Sequence, residues 1–235
     1  MKISEAQRAR FIISADDYGI RRTAGRILQL AQTGKLDRVA VMVNYVSEEQ
    51  ARALQSTRVK IDIHLDLIAL LGRGAVLGDS TLWRGISFLF SFLLGRVSPK
   101  KVEAEWRAQI EKFRVLFGKL PDGLNSHEHV HYFSSFFRVF VKLGNEYHTP
   151  FVRFGKAGLL LHVQQSVIGY ILSLPHFLDK RTFLLAEADS TDYLVDLNWL
   201  KSFEHLIRSM PQNGNVELVV HPEKEEEAAF VTETF

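Results

Sequence analysis

The chain has 235 residues, 46% of them hydrophobic and 24% charged, a globular composition with length enough for a sizeable core. Its 29 Lys and Arg against 27 Asp and Glu leave a near-neutral balance, which argues against nucleic acid as a main partner, because phosphate binding needs a concentrated basic patch. There is no cysteine, hence no disulfide, thiolate nucleophile or Cys-type zinc site, and any metal must be held by His, Asp or Glu.

The N-terminal MKISEAQRARF lacks the apolar run of a signal peptide, so the expected location is the cytoplasm. RFIISADD (10–17) reads as a buried strand ending in two carboxylates. IRRTAGRILQLAQTG (20–34) has helical apolar spacing with Gly34 where a C-cap belongs. RVAVMVN (38–44) reads as a strand and 47–56 as a short helix. VKIDIHLDL (59–67) alternates, with Asp62, His64 and Asp66 on the polar face. ISFLFSFLLG (86–95) is about half a bilayer span, and 72–98 reads as a lid or insertion; its Phe-rich part could pack as core or meet a lipid. SPKKVEAEWRAQIEKFRVLFG (98–118) is the clearest amphipathic helix, with Ser98 as N-cap, Pro99 in the first turn and Gly118 at the end.

LNSHEHVH (124–131), read as a strand, puts Asn125, His127, His129 and His131 on one face. A helix is expected over 133–147 and a strand in PFVRFG (150–155). The apolar stretch 158–178 reads as a buried or lid helix, and TFLLAEA (182–188) as strand or helix. DYLVDLNWLKSFEHLIRSM (192–210) reads as helical, VELVVHP (216–222) as a strand, and the acidic tail 223–235 as solvated. Alternating strands and helices indicate an α/β fold with a mainly parallel sheet, and no linker marks a boundary within 1–235.

Asp16, Asp17, His64, the 127–131 histidines and His221 all fall at or near the C-terminal ends of predicted strands, the rim where active sites of parallel α/β folds assemble. Each has a bland alternative. One aspartate could cap a helix while the other faces solvent, and His64 or His221 could be a satisfied core or surface residue. Arg153 could reach an anionic substrate, steady an aspartate, or form a structural ion pair. The triple His is harder to explain without a divalent metal holding neighbouring imidazoles neutral, although spacing alone allows either His127 or His129 as ligand.

Together, Asp-Asp-aromatic-Gly after the first strand, IDIHLDL, NSHEHVH and ELVVHP resemble the YdjC-like carbohydrate deacetylase family, also called the ChbG/HpnK family. GKLDRVAVMVN (34–44) and TDYL (191–194) also look like family segments, and the resemblance runs from about residue 11 to 222. It implies a distorted (β/α) barrel, polysaccharide-deacetylase-like, that removes N-acetyl groups from amino sugars with one divalent metal, zinc first and magnesium, manganese or cobalt tolerated. By the resemblance Asp17, His64 and His127 are the metal ligands, Asp16 the general base and His221 the candidate general acid. Asn125, His129, His131, Arg153 and Asp62 then surround the site or face substrate.

Three departures stand out. The family usually has Asp where this chain has Asn125, and Gly where it has Asp62; it also commonly runs on past the His-Pro motif, and a missing closing helix would expose apolar surface and favour self-association. The expected substrate is a chito-oligosaccharide or a glycolipid head group, and a homodimer is the preferred state. The alternatives are a metal-dependent phosphoesterase, or a non-catalytic sugar-binding protein that retains the fold.

Overall fold

The structure, a computed structural model, describes residues 2–20, 23–72, 91 and 94–235. The lid or insertion expected over 72–98 lies largely outside these residues. Six strands form one sheet in the order β4-β3-β2-β1-β6-β5: β1 Phe11–Tyr18, β2 Arg38–Val41, β3 Lys60–Leu65, β4 Gly123–Ser126, β5 Tyr193–Asp196 and β6 Val216–Val220. Every pairing is parallel. Single bridges from Leu124 to Val152 and from Gly158 to Tyr193 span the gap between the two edge strands, so the sheet curls into an incomplete barrel. The 150–155 strand expected from sequence is reduced to single bridges from Val152 to Leu124 and from Phe151 to Asp189, because that segment donates and accepts only at isolated positions.

Register decides which side chains share the barrel interior. Ser14 pairs with Arg38 and Val219, Ala40 with Asp62, Asp62 with Gly123, His64 with Asn125, and Asp196 with Val219. In a parallel sheet paired residues point to one side. The polar face of β3 is therefore the inside of the barrel, and Asp62 and His64 are buried.

Helices cover the outside: α1 Glu5–Arg8, α2 Thr23–Gln32, α3 Glu48–Gln55, α4 Ile68–Leu71, α5 Pro99–Phe117, α6 Ser134–Glu146, α7 Val167–Phe183, α8 Phe203–Ser209 and α9 Glu225–Thr234. Helix α5 follows its sequence reading: Ser98 caps it, Pro99 opens it and Gly118 closes it at φ 65°. Its buried stripe of Val102, Trp106, Ile110 and Phe113 packs toward α6 and β3, each large side chain contributing about 1.5–3 kcal/mol. No helix among the described residues is long and apolar enough to cross a membrane.

Three expectations are corrected. Residues 192–210 are not one helix: Tyr193–Asp196 pair with β6, a 3₁₀ turn follows, and only Phe203–Ser209 is α-helical. A doubly buried parallel strand carries a continuous apolar run that periodicity confuses with a helix. Residues 182–188 add no element of their own, since α7 ends at Phe183 and a turn follows. The acidic tail is not simply solvated: α9 buries Ala228 and Val231, and Phe230 and Phe235 pack on Phe203 with ring centres 4.9 and 5.7 Å away.

Candidate active site

The first strand ends in Asp16 and Asp17, both buried. A register shift between Ala15 and Tyr18, with Asp17 at φ 68°, interrupts the alternation, so that consecutive carboxylates open on one mouth. Aspartate tolerates that left-handed backbone better than most residues. The turn is held by Thr23, whose hydroxyl donates to the Asp17 carbonyl at 2.6 Å.

Across the barrel, Nδ1 of His64 lies 2.5 Å from Oδ1 of Asn125. A carbonyl oxygen only accepts, so Nδ1 carries the proton and Nε2 keeps its lone pair. That Nε2 faces Oδ1 of Asp17 at 3.2 Å and Oδ2 of Asp16 at 3.9 Å. His127, the first residue after β4, brings Nδ1 to 2.8 Å from the same Asp17 oxygen. One ligand atom from each of Asp17, His64 and His127 thus lies within 4.8 Å of the others. Two imidazole nitrogens and a carboxylate oxygen at this spacing fit one divalent cation.

The electrostatics agree with that donor set. Burial opposes ionisation of Asp17, but His127 and His64 beside it hold its carboxyl well below the usual range. Burial also opposes charge on His127, and Asp17 outweighs it, lifting that imidazole to about 9. The pocket favours a positive charge beside Asp17.

Asp16 is held differently. Its two oxygens receive Nη1 and Nη2 of Arg153 at 2.6 and 2.8 Å, and Nε of the same guanidinium reaches Glu217 at 2.9 Å. Burial works against the charge on Asp16, yet Arg153 keeps its carboxyl far below the ordinary value. Arg153 is fully enclosed, so it steadies an aspartate and does not offer itself to a substrate.

The NSHEHVH segment is not a continuous strand. β4 stops at Ser126, and His127–Tyr132 form a 3₁₀ turn with Glu128 and His129 at φ 52° and 53°, which sends the three histidines in different directions. His131 is buried: its Nε2–H donates to the Arg153 carbonyl at 3.1 Å and its Nδ1 accepts from Ser126 at 2.6 Å. Burial holds it well below its ordinary value. It fixes backbone rather than meeting the Asp17 cluster. His129 lies against Trp199, ring centres 5.1 Å apart, with Nε2 3.9 Å from Asp196.

Asp196 was not anticipated, because the helical reading of 192–210 concealed a strand ending in a carboxylate, the same signal that marks Asp16. Its Oδ1 accepts from the backbone N–H and side chain of Asn198 at 2.8 and 3.0 Å, and its Oδ2 stands 3.7 Å from Nδ1 of His221. Burial opposes charge on His221, but Asp196, Asp17 and Asp16 together raise its pKa. The His221 N–H donates to buried Glu227 of α9 at 2.7 Å. Asp62 belongs elsewhere: it pairs with Arg38 at 2.6 and 2.8 Å, deeper in the barrel, rather than with His64.

A family model described as YdjC-like protein matches residues 10–234. Among curated relatives, a carbohydrate deacetylase of Brevibacillus brevis is 24% identical over 234 residues, covering 96% of this chain and 86% of that protein. Carbohydrate deacetylases of Danio rerio and Homo sapiens are each 29% identical, covering 62% of this chain and 50% and 48% of theirs. The matched stretch thus spans about half the length of those two relatives. Among solved structures, an Enterococcus faecalis protein assigned to cellobiose-phosphate cleavage superposes with a TM-score of 0.60 at 19% identity, covering 90% of this chain and 80% of its own. A lactam utilization protein of Thermus thermophilus gives 0.50 at 13% identity, covering 95% of each. At those identities the likeness is one of fold.

Proposed function

The chain belongs to the YdjC-like protein family, and from that premise we propose that it is a metal-dependent hydrolase removing an N-acetyl group from an acetylated amino sugar. Asp17, His64 and His127 would hold one divalent cation, zinc in the first place, which when bound polarises the acetamide carbonyl and lowers the pKa of water. The observation that carries the reading is the meeting of those three side chains, from β1, β3 and the end of β4, beside a second carboxylate, Asp16, held apart from them. The two adjacent aspartates thereby have separate work. Asp17 is the ligand, and Asp16, kept ionised by Arg153, receives the proton of the attacking water.

His221 is the proton donor to the departing amine. An amine leaves poorly unless protonated, and three carboxylates around this imidazole favour its protonated form. Asp196 orients it. Asn125 supplies the acceptor that fixes the His64 tautomer, so its replacement of the family's usual Asp keeps the hydrogen bond and drops only the charge. A phosphoesterase with two bridged metals is less well supported, because the described residues gather one three-residue cluster.

The decisive experiment is acetate release from N,N′-diacetylchitobiose by protein stripped of metal and reloaded with zinc, with Asp16→Asn as control. Zinc-dependent release that disappears in the control is expected. No release from folded, zinc-loaded protein, on this sugar or on larger and lipid-linked acetylated sugars, would refute the reading.

A further inference from the structure

Helix α7 keeps little of its apolar surface inside. Toward the barrel it turns Gly169, Leu172, His176 and Asp179, all buried. His176 donates to the Gly155 carbonyl at 2.8 Å while its ring stacks on Phe154 at 4.4 Å. A Cβ at Gly169 would press on the side-chain amide of Gln164, which packs against it. Toward solvent the helix presents Val167, Ile171, Leu174, Phe177 and Leu178, each at least 60% exposed, and Leu185 extends the strip beyond its end. Exposed apolar residues scattered singly are ordinary on a soluble monomer, whereas a contiguous strip of this kind marks an interaction face. A surface helix of a water-soluble protein is normally patterned the other way.

From this we infer that the outward face of α7 docks on an anionic lipid bilayer. Area alone does not choose the occupant, since about 800 Å² per partner suffices for a stable pair of proteins. Charge does. Arg181 is exposed within the strip, while the helix's one acid, Asp179, is buried. A second copy laid symmetrically on this face would enclose two guanidinium groups with no carboxylate from either helix to meet them, a costly arrangement. At a bilayer the same side chain lays its methylenes along the apolar surface and reaches a lipid phosphate. Lys180, half-buried, and exposed Arg138 add to that sign; of the nearby acids, Asp189 is paired with Lys156 at 3.0 Å and Glu187 lies 3.8 Å from His148.

Two further features suit this occupant. A groove of about 500 Å³ runs between α7 and residues 157–162, lined by Leu159, Leu161 and Tyr193, with Phe177 common to groove and strip and Lys180 on its wall. It has the lining that an acyl chain takes. The start of α7 is also tied to the catalytic rim: Gln165 donates to the Trp199 carbonyl at 2.7 Å, Lys201 donates to that of Val163 at 3.0 Å, and Trp199 packs on His129. The helix lies on the bilayer and does not span it.

The test is co-sedimentation of the zinc-loaded full chain with vesicles of equal parts phosphatidylcholine and phosphatidylglycerol, and with phosphatidylcholine alone, beside light scattering for the state in solution. The chain is expected to sediment with the anionic vesicles. The double variant Ile171→Gln, Leu178→Gln should lose at least about tenfold in binding, with its melting temperature and its acetate release from soluble diacetylchitobiose unchanged. Arg181→Gln should lower binding to anionic vesicles more than to neutral ones. Equal sedimentation of the double variant would overturn the inference. So would absent vesicle binding, whether the chain is a monomer or a dimer that the double variant dissociates. Sedimentation without acetate release by any variant would sink the deacetylase reading and leave the docking intact.

Discussion

Arg153 reaches Asp16 with two nitrogens and Glu217 with a third, and all three groups are buried. Removing the guanidinium strands two carboxylates in a dry place, so Arg153→Met is expected to cost about 3–5 kcal/mol in denaturant unfolding. Arg153→Lys should recover little, because a single ammonium cannot serve the same three oxygens. His221 gives a kinetic prediction. Its pKa is raised by the carboxylates around it, so the proton donor stays charged to higher pH than an ordinary imidazole, and rate is lost as pH climbs and that proton leaves. Asp196→Asn removes the nearest of the raising carboxylates, so the basic limb of the kcat profile should move to lower pH; His221→Gln should erase that limb and lower kcat about 10²–10⁴-fold. An unmoved limb in Asp196→Asn would separate Asp196 from proton donation. Asn125→Ala leaves the His64 Nδ1–H without its acceptor, and zinc affinity measured against a competing chelator should fall about 10–100-fold. Asp16, Asp17 and His64 stand out in the sequence as polar side chains at strand ends, a local signal, whereas the choice of His127 over His129 rests only on the family resemblance. What each does depends on partners far along the chain: Arg153 is 137 residues from Asp16 and Asn125 is 61 from His64.

Elements were legible where the chain carries its own punctuation. Helix α5 has a cap, a first-turn proline and a left-handed closing glycine, and its bounds follow from them. The edge strand β5 has none of these, and what makes Tyr193–Asp196 extended is pairing with β6. The turn after β4 escaped for another reason: two consecutive non-glycine residues at positive φ are not announced by any residue type there. Glycines inside elements separate packing from propensity. A Cβ on Gly123 in β4 would lie 2.5 Å from Nη2 of Arg38 and 2.6 Å from Oδ1 of Asp62, prising apart a buried ion pair. Gly123→Ala should therefore destabilise by about 2–4 kcal/mol. Gly25→Ala in α2, with nothing within 4 Å, should stabilise by about 0.5–1 kcal/mol. Urea titration of both variants checks the contrast, and similar effects would mean that the Arg38–Asp62 pair yields without cost.

At the scale of the molecule, the three proposed ligands tie β1, β3 and the end of β4 together, so occupancy of the site and stability of the barrel are linked. In chelator, the charged pair of His127 and Asp17 stands in for the cation. The folded pKa of His127 is raised to about 9 from an ordinary value of 6.5. Its contribution is fully present below the unfolded pKa and is lost as pH rises through the folded one. Metal-free protein should thus weaken by on the order of 3 kcal/mol between about pH 6 and pH 9.5, a range in which Asp17 stays ionised. Zinc requires unprotonated imidazole, so that descent should vanish in zinc-loaded protein, which is stabilised instead by about 2.7 kcal/mol for free zinc at a hundred times its Kd. Denaturant unfolding at both pH values, with zinc and with chelator, gives four stabilities. Parallel pH dependence in the two series would mean that zinc does not displace the His127 proton, and that this histidine is no ligand.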